Sequence, residues 1–135
     1  MPKTLQLEHR EQVRLMRWAK GLEDDYPLLA LLFHIPNGGQ RDPIAGMQMK
    51  RAGVKRGVPD LCLPVPCQEF HGMFLELKYG KGEASKYQSA WLNALHELGY
   101  YAVVCWGAEQ AAEEIGRYLG LPEATWTNLL TATSN

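Results

Sequence analysis

Two apolar runs of strand length contain almost no charge, and the few ionisable side chains within them constrain the fold more than any other feature. The first reads Gly57-Val58-Pro59-Asp60-Leu61-Cys62-Leu63 and the second Met73-Phe74-Leu75-Glu76-Leu77-Lys78. Charges are costly inside a sheet, so Asp60, Glu76 and Lys78 need a reason to be there. Strand side chains alternate between faces, which sets Glu76 and Lys78 on one face and Leu77 on the other. If the two runs pair, Asp60 comes beside Glu76, and two carboxylates and one ammonium form a compact cluster.

Carboxylates that close repel each other unless a cation lies between them, and oxygen donors suit a hard ion such as Mg²⁺ or Mn²⁺. A lysine fixed beside such an ion can hold a water and stabilise charge building on a phosphate. The combination points to metal-assisted phosphodiester hydrolysis. The plainer alternative is a surface hairpin with a neighbouring Glu-Lys pair and an Asp after Pro in a turn. Glu-x-Lys alone is a weak motif. Its position at the end of one apolar strand, with Gly-Val-Pro leading Asp60 into another, favours the functional reading.

Val58-Pro59-Asp60 with Glu76-Leu77-Lys78 resembles the PD-(D/E)xK nuclease signature, and the surrounding frame resembles the virus-type replication-repair nuclease (VRR-NUC) domain. The matching pieces are His34-Ile35-Pro36-Asn37-Gly38-Gly39, Lys50-Arg51-Ala52-Gly53-Val54, Gly57-Val58-Pro59-Asp60-Leu61 and Leu75-Glu76-Leu77-Lys78. Ser85 with Gln88 and Trp91, and Gly99-Tyr100 leading into Val103-Val104-Cys105, complete the set. The likeness runs from about Glu8 to Leu119 with the motifs in the family's order.

This resemblance implies a restriction-endonuclease-like core and a Mg²⁺- or Mn²⁺-dependent DNA endonuclease. In that scheme Asp60, Glu76 and the carbonyl of Leu77 hold the metal, a glutamate of the first helix joins them, and Lys78 positions the attacking water. Glu8, four residues before Gln12, best matches the family's Glu-x-x-x-Gln pattern, with Glu11 as a rival. Gln88 is expected to turn toward the metal site, and Asn37 to lie on the substrate side or support the site.

A chain of 135 residues, 46% hydrophobic and 21% charged, is expected to form one domain over residues 1–135 with one core. No apolar run approaches the roughly 20 residues that span a bilayer, and the polar N-terminus lacks a signal-peptide apolar region, so no membrane association and a cytoplasmic location are expected. Cys62, Cys67 and Cys105 predict no disulfides. Cys62, Cys67 and His71 fit no common zinc-finger spacing and lack a fourth ligand. The net charge of −1 conceals an asymmetry: residues 1–90 hold thirteen Lys/Arg against ten Asp/Glu, residues 91–135 one against five. Arg41, Lys50, Arg51, Lys55 and Arg56 face only Asp42 just before the acidic cluster, and with Lys81 they are candidates to bind a phosphate backbone.

The remaining patterns predict an α/β fold with a mixed central sheet flanked by helices. Helical spacing covers Thr4 to about Leu22, and Leu28 to Ile35 reads as a short helix leading into a short strand. Asp42 caps a helix to Ala52, with Pro43 in its first turn. Strands follow over Asp60 to Val65 and Met73 to Lys78. Ser85 caps a helix to Leu98, Tyr100 to Trp106 reads as a buried strand, Ala108 to Leu119 as an amphipathic helix, and the tail as one or two further helical turns.

Two other functions stay open: a nucleic-acid-binding module that does not cut, and a restriction-type enzyme with sequence-specific cleavage. The intact Asp, Glu and Lys weigh against the first, and the lack of a domain for reading bases against the second. Cutting two strands of a branched DNA is most simply done by two copies, and related stand-alone proteins resemble homodimers acting on four-way junctions. Trp18, Leu28 to Phe33, Trp126, Leu129 and Leu130 are candidates for the dimer interface.

Overall fold

The computed structural model describes residues 3–36 and 42–133. Helix α1 (Lys3–Leu22) is followed by a 3₁₀ turn (Pro27–Leu31), strand β1 (Phe33–His34), helix α2 (Pro43–Arg51) and strands β2 (Leu61–Leu63) and β3 (Met73–Lys78). Helix α3 (Lys86–Glu97), strand β4 (Tyr101–Trp106), and helices α4 (Ala108–Leu119) and α5 (Ala124–Thr133) complete the order. The four strands form one mixed sheet in the order β1-β2-β3-β4, antiparallel except for the parallel β3–β4 pair that α3 connects.

The register follows the period-two pattern of the apolar runs. Leu61 lies opposite Leu75 and Leu63 opposite Met73, while Leu75 and Leu77 lie beside Val103 and Cys105. Paired residues share a face. One face therefore carries Leu61, Leu63, Met73, Leu75, Leu77 and Cys105, which pack with Leu15 and Trp18 of α1 and Ala111, Ile115 and Tyr118 of α4 as the main core. The opposite face carries Cys62, Phe74, Glu76 and Lys78 and lies under α3.

Several expectations need correction. Strand β2 is three residues long, because Pro64 cannot continue the ladder, and Asp60 lies just before it. The strand expected to be buried, β4, is an edge of the sheet; helices α3 and α4 contact it, which accounts for its apolar sequence. Three of the residues offered as interface material are core residues: Trp18, Trp126 and Leu129 are all buried. Trp18 donates its indole N–H to the carbonyl of Thr125, and the Trp126 ring lies against Gly116, where a Cβ would collide with it. Of the stretch from Leu28 to Phe33, Leu29 and Leu32 are buried and Leu28, Leu31 and Phe33 are exposed.

Helix α2 has the expected Asp42 cap, whose carboxylate accepts from the Ala45 N–H at 2.9 Å, but it buries none of its residues.

Candidate active site

Asp60 and Glu76 are brought together where the β2–β3 ladder ends at the Leu61–Leu75 pair, each being the next residue beyond that pair on its own strand. The Asp60 carboxylate accepts a hydrogen bond from the Leu77 N–H at 2.8 Å, and the Asp60 carbonyl accepts from the Ile35 N–H at 2.7 Å. The aspartate is thus clamped between β3 and the end of β1. Pro59, fully buried, fixes the preceding residue. Gly57 makes that approach possible: its φ is +88°, and a Cβ there would lie 2.6 Å from the Tyr87 carbonyl carbon.

The Glu76 side chain is 1% exposed on the α3 side of the sheet. Its Oε2 accepts from Gln88 Nε2 at 2.9 Å and lies 3.8 Å from Lys78 Nζ. Its Oε1 is buried and receives a hydrogen bond from no donor, so the neighbouring Asp60 carboxylate can pair with it only by sharing a proton. An uncompensated buried carboxylate oxygen is costly. Burial, then the Asp60 charge, pushes the Glu76 carboxyl up to about 9, with Lys78 opposing. Burial likewise raises Asp60, against the Leu77 hydrogen bond.

The orientation of Gln88 is set by its own helix. Ser85 and Gln88 form a reciprocal capping box at the start of α3, in which Gln88 Oε1 accepts from the Ser85 N–H at 2.8 Å. With its oxygen engaged there, the Gln88 amide presents its NH₂ to Glu76.

Glu8 and Glu11 separate cleanly. Glu8, half-buried, feels the charges of Lys78 and Asp60, and its Oε2 would lie 3.9 Å from a Cβ on Gly82. Burial is the main cause of its raised pKa. Glu11 is 4% exposed and belongs elsewhere: it accepts from the Ala108 N–H at 3.1 Å, capping α4, and is ion-paired with Arg14. Arg14 also bonds Glu109.

Lys50, Arg51, Lys55, Arg56 and Lys81 are all exposed. Arg56 lies over the Tyr87 ring, 4.0 Å from its centroid. Asn37 and Arg41 lie outside the described residues. Sequence reasoning assigned no role to His34, whose Nδ1 lies 2.9 Å from the Asp60 carbonyl oxygen, or to Trp106. The Trp106 indole N–H donates to the Gly82 carbonyl at 2.6 Å.

Among the described residues no three His, Cys, Asp or Glu side chains form a ready metal cage. Cys62, Cys67 and Cys105 are free thiols. The donor set on offer is two adjacent carboxylates, one with an oxygen that no hydrogen-bond donor reaches, plus backbone oxygen; it fits a hard divalent cation.

The VRR-NUC domain family model matches residues 1–109, which include every residue of this cluster. The chain belongs to the VRR-NUC family. VRR-NUC is a nuclease-type family, and a solved structure described as a VRR_NUC domain protein shares the fold. That structure is 29% identical, with a TM-score of 0.70 over 85% of this chain and 89% of its own. No curated protein matches the chain at a significant level. Most of α4 and all of α5 lie beyond the VRR-NUC match, so the family frame is the sheet, α1 to α3 and the site they hold. No helix among the described residues is long and apolar enough to cross a membrane.

Proposed function

We propose that this VRR-NUC chain is a Mg²⁺- or Mn²⁺-dependent endodeoxyribonuclease that hydrolyses phosphodiester bonds in branched DNA, including four-way junctions, during replication, recombination or repair. The observation that carries this reading is the buried Oε1 of Glu76, reached by no hydrogen-bond donor, beside Asp60, a carboxylate pair that a divalent cation would satisfy. Asp60, Glu76 and the Leu77 carbonyl would hold the ion, with Glu8 joining directly or through water. The N–H and C=O of a strand residue point to the same edge, and the Leu77 N–H already points to Asp60, which supports the Leu77 assignment. When bound, the ion supplies Lewis acidity and a water of lowered pKa.

The chain's own groups do the rest. Lys78 orients the attacking water and offsets charge developing on the phosphate. Gln88 keeps Glu76 in place through its capping bond. Asn37, Arg41, Lys50, Arg51, Lys55, Arg56 and Lys81 would receive the DNA backbone, contacts that position a duplex without reading its sequence. A binding module that does not cut has no observation in its favour, since Asp60, Glu76 and Lys78 are all present.

Two copies would serve the two strands of a junction, and exposed Leu28, Leu31 and Phe33 offer apolar material for such a homodimer, acting in the cytoplasm of a bacterial or phage-infected cell. Labelled branched and linear DNAs incubated with Mn²⁺ or EDTA test the activity. Cleavage should require the metal and vanish in Asp60→Ala and Lys78→Ala; metal-dependent cleavage surviving in both would overturn the assignment. Light scattering showing a 15.2 kDa particle with and without junction DNA would remove the dimer.

A further inference from the structure

Trp106 is a large aromatic side chain, 43% exposed, at the last position of the β3–β4 ladder. Its partner across the ladder is Lys78, so both side chains rise from the same face of the sheet, on strands about 4.8 Å apart. The residue is held at two points, one on the ring and one on the backbone. Its indole N–H bonds the Gly82 carbonyl, and its backbone N–H donates to Gln110 Oε1 at 2.7 Å. Gly82 itself lies against the site, since a Cβ there would be 3.8 Å from Lys78 Cδ and 3.9 Å from Glu8 Oε2. The Gly107 N–H bonds the Lys78 carbonyl at 2.9 Å, tying the end of β4 to the same lysine.

We propose that Trp106 is a stacking wall for an unpaired base next to the phosphate being cut. The proposal rests on the nuclease reading of the Asp60–Glu76–Lys78 cluster and names the feature of the substrate that this site selects. A ring already locked in orientation loses little freedom when a base covers it. Its only donor is engaged by Gly82, so it offers a base a flat face and no hydrogen bond. Such a surface accepts any base and discriminates by structure instead of sequence. In continuous duplex every base face is covered by its neighbours; at a branch point, gap or flap one face is free. The wall therefore favours DNA that is interrupted at the cleavage point.

The test uses two short duplexes, one continuous and one with a single unpaired 2-aminopurine at the cleavage point, with Ca²⁺ in place of Mg²⁺ or Mn²⁺ so that binding is read without cutting. Wild-type protein should quench the 2-aminopurine, and Trp106→Ala should abolish the quench and weaken binding of that duplex by roughly tenfold. Binding of the continuous duplex should be unchanged. Trp106→Phe keeps a ring but loses the bond to Gly82; retained quenching there supports stacking. Loss of quenching in Trp106→Phe equal to that in Trp106→Ala would make Trp106 a loop fastener and overturn the proposal, as would equal weakening of both duplexes by Trp106→Ala. A parallel Mn²⁺ cleavage assay separates the two ideas: cleavage without quenching sinks the stacking wall alone, and quenching without cleavage sinks the nuclease and with it the wall's place beside a scissile phosphate, leaving a base-stacking site on a domain that does not cut.

Discussion

Replacing Glu76 by Gln is expected to stabilise the metal-free protein above acid pH while abolishing its response to divalent cations. The glutamate is buried with one oxygen that no hydrogen-bond donor reaches, and its carboxyl is pushed up to about 9 by burial and by Asp60. A carboxyl whose folded-state pKa exceeds its unfolded value binds its proton more tightly when folded. Stability is then greatest below the unfolded value of 4.5 and falls as pH rises through the window up to about 9. At about pH 7.5 the protein lies some 3 units into that window, which at about 1.4 kcal/mol per unit sets a ceiling near ~4 kcal/mol. Asp60 shares the same titration, so a gain of about 1–3 kcal/mol is expected, or roughly 3–10 °C in Tm. Glutamine preserves the shape; its oxygen can accept from Gln88 and its NH₂ can face Asp60. Thermal melts followed by circular dichroism in EDTA should place Glu76→Gln above wild type at about pH 8, with the gap closing toward about pH 5, as Glu76 of the unfolded chain regains the proton that the folded state holds throughout. Mn²⁺ should raise the wild-type Tm and leave the variant unmoved. A variant melting at or below wild type at the higher pH, or an equal gap at both, would refute the reasoning.

Glu8 and Glu11 should part in mutagenesis. Glu11→Ala removes the α4 cap and a buried partner of Arg14 and should cost about 2–4 kcal/mol in urea melts. Glu8→Ala should change stability by no more than about 1 kcal/mol yet slow metal-dependent cleavage at least about tenfold. Gly57→Ala forces a left-handed backbone and a contact at 2.6 Å, so its Tm should drop by the equivalent of about 2 kcal/mol or more, with cleavage falling because Asp60 follows three residues on.

Much of this was legible in the sequence, for reasons that differ by residue. Strand alternation alone sets Glu76 and Lys78 on one face, and the pairing of two adjacent apolar runs brings Asp60 to them. Ser85 and Gln88 announce a helix start through their spacing. Glu8 against Glu11 was not decidable from the pattern, because both are on α1 and only the tertiary position of the α4 N-terminus claims Glu11. The burial of Trp18 depends on the Thr125 carbonyl far along the chain, and that of Trp126 on the gap at Gly116 of the preceding helix, a fit between two helices that apolar periodicity does not encode. Trp106 became visible beside Lys78 only through the parallel register of β3 and β4, which a crossover connection leaves open in sequence.

The central claim is that a divalent cation enters between Asp60 and Glu76, and calorimetric titration of the protein with Mn²⁺ tests it most directly. The account predicts saturable binding near neutral pH accompanied by proton release, seen as a heat that changes with the ionisation enthalpy of the buffer, because the raised Glu76 carboxyl must lose its proton to the solvent. Both signals should disappear in Asp60→Asn. Absence of Mn²⁺ binding to the wild-type protein, or the same heats in Asp60→Asn, would contradict it.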